Sequence, residues 1–193
     1  MKTQDLTRNS QKLCQSAQEI LEITNLREIL SEMGRVEIIG SLRWKAMYRL
    51  DIDLLVISED INKDKALKVT KKYLDSGLFK KVSLTNYLEF PVHDMPLGFT
   101  WELIALHKDM EWKFDIWYLK PSESYTHLVS DSIKRFEPLL SKNPEKIDII
   151  LKIKEKYFDG VKYKDNITGF DIYTAVLERG ISSIEEFETR SKL

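Results

Sequence analysis

Apolar side chains recur three and four positions apart over residues 4–33, the spacing of one buried helix face. Asn25 interrupts the series, so the pattern predicts a helix, a break and a second helix. Gly34 follows at the position where a glycine with positive φ commonly ends a helix. Residues 36–39, Val-Glu-Ile-Ile, then predict a short strand that ends at Gly40.

Strand and helix patterns alternate from here to about residue 120. Residues 51–58 form an apolar run typical of a buried strand, and residues 62–76 have helical spacing and end at Gly77. This helix is expected to bury Ala66, Leu67, Val69, Tyr73 and Leu74. Further strands are predicted at 78–90, 100–107 and 112–119, the last two joined as a hairpin around residues 108–111. The pattern therefore indicates an α/β (α+β) fold with a mixed sheet of about five strands and flanking helices.

Strand patterns nearly disappear after Pro121. Asn143-Pro144 has the residue types of a helix start, and Gly160 is expected to end that helix. Another helix is predicted over 168–179, and Ser182 with Glu185 fits a capping box that opens a last one. We expect two domains, residues 1–120 with the mixed sheet and residues 121–193 as a C-terminal helical subdomain.

Composition limits the classes of partner. The chain has 193 residues, with 30 basic and 31 acidic side chains and a net charge of -1. Proteins that grip long nucleic acids usually carry a basic excess, so such a partner is disfavoured. A local cluster of lysines is expected to form a solvated helix face, with contact to RNA or an acidic acceptor as the alternative. The cluster comprises Lys63, Lys65, Lys68, Lys71, Lys72, Lys80 and Lys81.

Cysteine usage and hydropathy indicate the cellular compartment of the protein. Cys14 is the single cysteine, so no disulfide can form within the chain. The first residues lack the apolar run of a signal peptide, and no stretch approaches the ~20 apolar residues that span a bilayer. A cytoplasmic protein without membrane contact is expected.

The candidate chemistry lies in the segment VEIIGSLRWKAMYRLDIDLLVIS, residues 36–58. Asp51 and Asp53 are two apart in a predicted strand, so both side chains point to the same face. Two carboxylates this close repel each other, and a divalent cation removes that repulsion. Oxygen ligands of this kind suit Mg²⁺, with Mn²⁺ as a second choice, and Mg²⁺ also accepts substrate phosphates as ligands.

A third carboxylate and a phosphate-binding turn complete the pattern. Asp115 is an acidic residue inside an apolar strand and could bind metal and also accept a proton from an attacking hydroxyl. Gly40 allows the backbone to approach a phosphate closely, and Ser41 can donate to phosphate oxygens. Arg43 can pair with phosphate charge through two parallel hydrogen bonds. The alternative is that the aspartates lie on a solvent-exposed strand face and that Ser41 is an ordinary turn serine.

These residues resemble the signature of the nucleotidyltransferase superfamily related to DNA polymerase beta, which includes kanamycin-type and lincosamide-type antibiotic nucleotidyltransferases. That signature is an apolar residue, Gly-Ser, about nine to thirteen residues and then Asp-x-Asp within apolar flanks. Gly40, Ser41, Asp51 and Asp53 match it position by position, and the resemblance covers roughly residues 20–120. One departure is Trp44-Lys45, where many members have a small residue soon after the arginine.

The resemblance implies magnesium-dependent transfer of a nucleoside monophosphate from a nucleoside triphosphate to a hydroxyl acceptor, with release of pyrophosphate. Asp51, Asp53 and Asp115 would be catalytic and bind the metal, and Gly40, Ser41 and Arg43 would bind the nucleotide. A small-molecule acceptor is favoured over nucleic acid. Two alternatives stay open, namely a catalytically silent nucleotide-binding or toxin–antitoxin module on the same fold, and a pyrophosphokinase-type enzyme on a related fold.

Overall fold

The strand patterns before residue 121 form one five-stranded sheet in a computed structural model, which describes residues 3–158 and 167–190. The strands are β1 (Arg35–Ile39), β2 (Asp51–Ile57), β3 (Phe79–Asn86), β4 (Gly98–His107) and β5 (Met110–Leu119). Their order across the sheet is β1-β2-β5-β4-β3. Only the β2–β5 pair is parallel, which confirms the predicted mixed sheet.

Helices flank the strands in sequence and dominate the second half of the chain. They are α1 (Thr3–Ile23), α2 (Leu26–Ser31), α3 (Gly40–Arg43), α4 (Lys63–Ser76), α5 (Ser124–Lys142), α6 (Lys146–Tyr157), α7 (Gly169–Leu177) and α8 (Ile184–Arg190). Within the described residues, none of these helices has the length and apolarity that crossing a bilayer requires.

The chain divides into two compact units, and neither is continuous in sequence. The sheet unit comprises Ser16–Ile39 and Leu50–Asp131. The helical unit comprises Met1–Gln15, Gly40–Arg49 and Ser132–Leu193. The helical unit therefore takes two segments from the part of the chain before the predicted boundary near residue 121.

Aromatic side chains fill the core on one face of the sheet. The even-numbered residues of β5 point into this core, and Phe114, Ile116 and Tyr118 are buried. Tyr73 of α4 packs edge-on against Trp101 of β4, with 6.4 Å between ring centroids. The odd-numbered residues of β5 consequently point to the opposite face, where the sequence places Asp115.

The helical unit has its own core, built around Trp44. Its ring lies edge-on to Phe136 and Tyr173, at centroid distances of 5.8 Å and 6.2 Å. The departure from the family pattern at this position therefore has a structural reason, because Trp44 is a buried core residue. Lys45 follows with φ of 55°, a left-handed turn at the end of α3.

Several local predictions in the sheet unit are confirmed and others are wrong. Asn25 has left-handed φ between α1 and α2, as the expected break. The prediction of positive φ at Gly34 is wrong. Close strand packing requires a glycine there instead, because a Cβ would lie 2.3 Å from the Ile57 carbonyl oxygen. Leu67 and Leu74 are 49% and 63% exposed, because they lie off the face of α4 that packs on the sheet.

Turn and cap predictions were less accurate than the elements themselves. The β4–β5 hairpin turns on Lys108 and Asp109 alone, both with positive φ, so β5 begins at Met110. In the helical unit α6 begins at Lys146, after Asn143-Pro144, and the side chain of Asn143 donates to the Leu139 carbonyl. The partner of Ser182 is Glu186, one residue beyond the predicted Glu185. The predicted helix end at Gly160 lies outside the described residues.

Candidate active site

Three carboxylates meet on one face of the sheet, two at the start of β2 and the third in the middle of the parallel strand β5. Asp53 of β2 is in register with Asp115 of β5, and Asp51 is in register with Lys113. Asp51, Asp53 and Asp115 are each half-buried, and one oxygen from each lies within 4.8 Å of the others. Carboxylate oxygens at this separation are suitable ligands for a hard divalent cation. The chemistry of the donor set therefore fits the metal that the motif implies.

Lys113 is a cation next to this cluster. Its ammonium donates to Asp115 Oδ2 at 2.7 Å and lies 3.5 Å from Glu102 Oε2. Burial alone would lower the pKa of Lys113, but the hydrogen bond to Asp115 and the charges of Asp115, Asp51 and Glu102 together raise it. The lysine is therefore charged at neutral pH, and it offsets part of the negative charge of the cluster.

Aromatic rings border the carboxylates on the same face. Trp117, two residues after Asp115, stacks beside Tyr87 at 6.0 Å and lies 5.6 Å from Tyr125 of α5. Burial, with the charges of Asp53 and Asp115, raises the pKa of Tyr125 to about 12. The phenol thus stays protonated at neutral pH, and it adds no negative charge to the site.

The Gly-Ser element belongs to the helical unit. Gly40 has φ of 61°, a conformation that favours glycine, and it starts the single turn of α3. The Ser41 carbonyl accepts from the Ala46 amide at 3.0 Å, which closes the turn. The motif glycine therefore has a conformational reason, because it turns the chain directly after the last residue of β1.

Arg43 contacts a carboxylate within its own unit. Its Nε and Nη2 atoms donate to Glu137 Oε1 at 3.0 Å and 2.6 Å. The guanidinium also lies over the Trp44 ring, with 5.7 Å to the centroid. Arg43 thus has structural partners, and its role in nucleotide binding stays a prediction.

Lys154 of α6 contacts the Gly-Ser element, a contact that the sequence did not predict. Its side chain is fully buried, and the ammonium donates to Ser41 Oγ at 2.9 Å, the Ala46 carbonyl at 2.8 Å and the Tyr173 hydroxyl at 2.7 Å. A signal was present, because Lys154 falls four residues after buried Ile150 and three before Tyr157. A lysine at a core position of an amphipathic helix requires oxygen partners.

The lysine cluster proved to be largely neutralised. Six of its seven members form ion pairs with acidic side chains on the described surface. The pairs are Lys63–Glu89, Lys65–Asp60, Lys71–Asp75, Lys72–Glu32, Lys80–Glu111 and Lys81–Glu102. Pairing within the protein leaves less positive charge to neutralise phosphates, which agrees with the predicted solvated face.

Comparison with known proteins gives a match in structure but none in sequence. No protein-family model and no curated protein matches the chain. A cytoplasmic RNA terminal U-transferase is similar in structure, with a TM-score of 0.56 and 14% identity, over 90% of this chain and 53% of that chain. The non-canonical poly(A) polymerase complex GLD-2–GLD-3 gives a TM-score of 0.53 and 11% identity, over 91% and 56%.

The Cid1 poly(U) polymerase, in a structure with Mg and 3′-dATP bound, gives a TM-score of 0.53 and 15% identity, over 90% of this chain and 54% of that chain. The chain has a nucleotidyltransferase-like fold. The resemblance that the Gly-Ser and Asp-x-Asp motif suggested is thereby confirmed at the level of fold. The chain spans about half the length of these similar structures.

Proposed function

We propose that the chain is a divalent-metal-dependent nucleotidyltransferase that moves a nucleoside monophosphate from a nucleoside triphosphate to a hydroxyl group. The observation that carries the proposal is the cluster of three carboxylates within 4.8 Å of one another on adjacent parallel strands. The nucleotidyltransferase-like fold supports it, as does the match of Gly40, Ser41, Asp51 and Asp53 to the motif.

In the proposed reaction the acceptor oxygen bonds to the α-phosphorus while the bond to the bridging α–β oxygen breaks. Pyrophosphate leaves with that electron pair, and Asp115 accepts the proton of the acceptor hydroxyl. Asp51, Asp53 and Asp115 would hold Mg²⁺ or Mn²⁺, which supplies charge neutralisation of the phosphates when bound. The side chains act mainly by positioning and charge stabilisation.

Ser41 is the residue to which we assign phosphate binding. Lys154 donates to its oxygen at 2.9 Å, so one lone pair is taken and the hydroxyl proton is left to donate elsewhere. Gly40 would let the backbone approach the same phosphate. Arg43 would have to share its guanidinium with Glu137, so we expect a smaller contribution from it.

For the acceptor we propose a small molecule with a free hydroxyl. The net charge of -1 and the paired lysines give little driving force for binding a polyanion. An RNA 3′-hydroxyl is the second candidate, because the similar structures are those of an RNA terminal U-transferase and of poly(A) and poly(U) polymerases.

The first test is calorimetric titration of the four nucleoside triphosphates in the presence of Mg²⁺. We expect metal-dependent binding to the wild type and at least about tenfold weaker binding to Asp51→Asn/Asp53→Asn, because two ligands lose their charge. Asp109→Asn, in the β4–β5 turn, is the matched control and should bind like the wild type. Equal nucleotide binding by all three proteins would show that Asp51 and Asp53 do not contribute to the nucleoside triphosphate site.

Product identification then separates the remaining alternatives. Pyrophosphate release with small hydroxyl compounds supports the proposal, and release only with single-stranded RNA supports the second candidate. Nucleoside monophosphate as the released product would indicate pyrophosphate transfer instead. Metal-dependent nucleotide binding with no turnover on either acceptor class would favour the catalytically silent module.

A further inference from the structure

A row of alternating charges runs across three strands of the sheet and ends at the carboxylate cluster. Glu102 of β4 is in register with Asp115 of β5. Lys81 of β3 forms an ion pair with Glu102, and Lys113 lies between Glu102 and Asp115. The order of charges toward the cluster is therefore lysine, glutamate, lysine, aspartate, on the face to which Asp115 points.

Lys113 can reach two carboxylates without a change in the backbone. Its ammonium is 2.7 Å from Asp115 Oδ2 and 3.5 Å from Glu102 Oε2. The side chain is 40% exposed, so its ammonium has room to shift by the small distance that separates the two partners. All three residues lie in β-strands, and the lysine has the longest side chain of the three, so its ammonium is the group with the greatest freedom to move.

A divalent cation held by Asp115 would repel the ammonium from its present position. Two positive centres that share one carboxylate lie within a few ångströms, where Coulomb repulsion at a half-buried site is substantial. Glu102 is already close to Lys113, so the ammonium has an acceptor when Asp115 takes up the cation. Lys81 remains on Glu102 in either arrangement, through the other carboxylate oxygen.

We propose that Lys113 is a counter-cation shared by Asp115 and Glu102, which sets the affinity of the acidic cluster for divalent cations. Lys113 stays on Asp115 in the absence of a cation and passes to Glu102 when one occupies the cluster. Glu102 is a positioning residue in this scheme, because it acts on the cluster only through Lys113. The inference rests on the metal site of the proposed function.

Two single substitutions should shift cation affinity in opposite directions. Lys113→Gln removes a competing charge, so Mn²⁺ should bind about three- to tenfold more tightly than to the wild type. Glu102→Gln removes the second acceptor, so Lys113 stays on Asp115 and Mn²⁺ should bind about three- to tenfold more weakly.

The double variant distinguishes transfer of the lysine from a simple sum of charges. If Glu102 acts through Lys113, Glu102→Gln should change the Mn²⁺ affinity of Lys113→Gln by less than about twofold. If Glu102 acts through its own charge alone, the same substitution should weaken binding equally in both backgrounds. The second outcome would overturn the proposed transfer.

The measurement is titration of the full chain with Mn²⁺, with free Mn²⁺ read by electron paramagnetic resonance. Lys80→Gln is the matched control, because it removes a lysine that pairs with Glu111 on the same sheet without contact to the cluster. Lys113→Arg keeps the charge and should bind Mn²⁺ within about twofold of the wild type. Circular dichroism checks that each variant is folded.

The possible results separate this inference from the function on which it rests. Opposite shifts in the single variants, with the Glu102→Gln effect absent from the Lys113→Gln background, would support the inference. Normal Mn²⁺ binding by the wild type with unchanged affinity in Lys113→Gln would overturn the inference alone. No Mn²⁺ binding by the wild type would overturn the metal site of the proposed function, and this inference with it.

Discussion

Lys154 illustrates how one buried charge can organise a set of residues that are distant in sequence. Its ammonium joins Ser41 and the Ala46 carbonyl, both in Gly40–Arg49, to Tyr173 in Ser132–Leu193. Each contact satisfies an oxygen as well as the lysine. A buried charge is tolerated only when its hydrogen bonds are made, so the position of Ser41 depends on α6 and α7.

Lys154→Met should destabilise the helical unit by about 2 kcal/mol or more, because several buried oxygen atoms lose their donor. Urea unfolding followed by circular dichroism measures the change. Lys156→Met on the same helix is the control, since it removes only an exposed ion pair with Glu188 and should leave the midpoint nearly unchanged. Equal midpoints for the two variants would mean that the lysine contacts contribute no net stability.

At the level of elements, the β4–β5 hairpin supports one side of the carboxylate cluster. Its two-residue turn places Asp115 opposite Glu102. Parallel pairing of β5 with β2 then brings Asp115 beside Asp53. Gly98 begins β4 close to the backbone of β5; a Cβ there would lie 2.3 Å from the Tyr118 carbonyl oxygen. The hairpin register therefore depends on a residue without a side chain.

Gly98→Ala should lower the free energy of unfolding by about 2–3 kcal/mol, because the atom in conflict belongs to the backbone of a central strand. Thermal unfolding of the variant measures the loss. Gly169→Ala is the control, where the nearest atom to the added Cβ is 3.9 Å away. A Gly98→Ala protein as stable as the control variant would show that β4 can move away from β5 without a loss of stability.

At the level of the whole molecule, charge is balanced both in total and locally. The net charge is -1, and most lysines of the α4–β3 region pair with acidic neighbours. Binding to nucleic acid gains free energy from counterion release, which requires lysines and arginines that are available to phosphates. Lysines that are paired within the protein are less available for such contacts.

Binding of a single-stranded RNA should be weak and only mildly dependent on salt. We expect a slope of log affinity against log salt shallower than about −1.5, which corresponds to about two neutralised phosphates. Fluorescence anisotropy of a labelled oligoribonucleotide at several salt concentrations gives the slope. A slope of about −3 or steeper would contradict this balance of charge and favour an RNA acceptor.

The sequence by itself determined the features that depend on neighbouring residues. Alternation along a strand places Asp51 and Asp53 on one face. The existence of five strands and of a helical second half also followed from local periodicity. Short-range backbone geometry imposes these features wherever the segment lies in the fold.

Only the tertiary structure decided the contacts between distant segments. The approach of Asp115 to Asp53 needed the parallel β2–β5 register, and the contact between Lys113 and Glu102 needed the hairpin. The helix pattern gave Lys154 a core position, but its partner Ser41 lies 113 positions earlier in the chain. Side-chain periodicity specifies which face a residue occupies, whereas strand order and helix packing specify what that face meets.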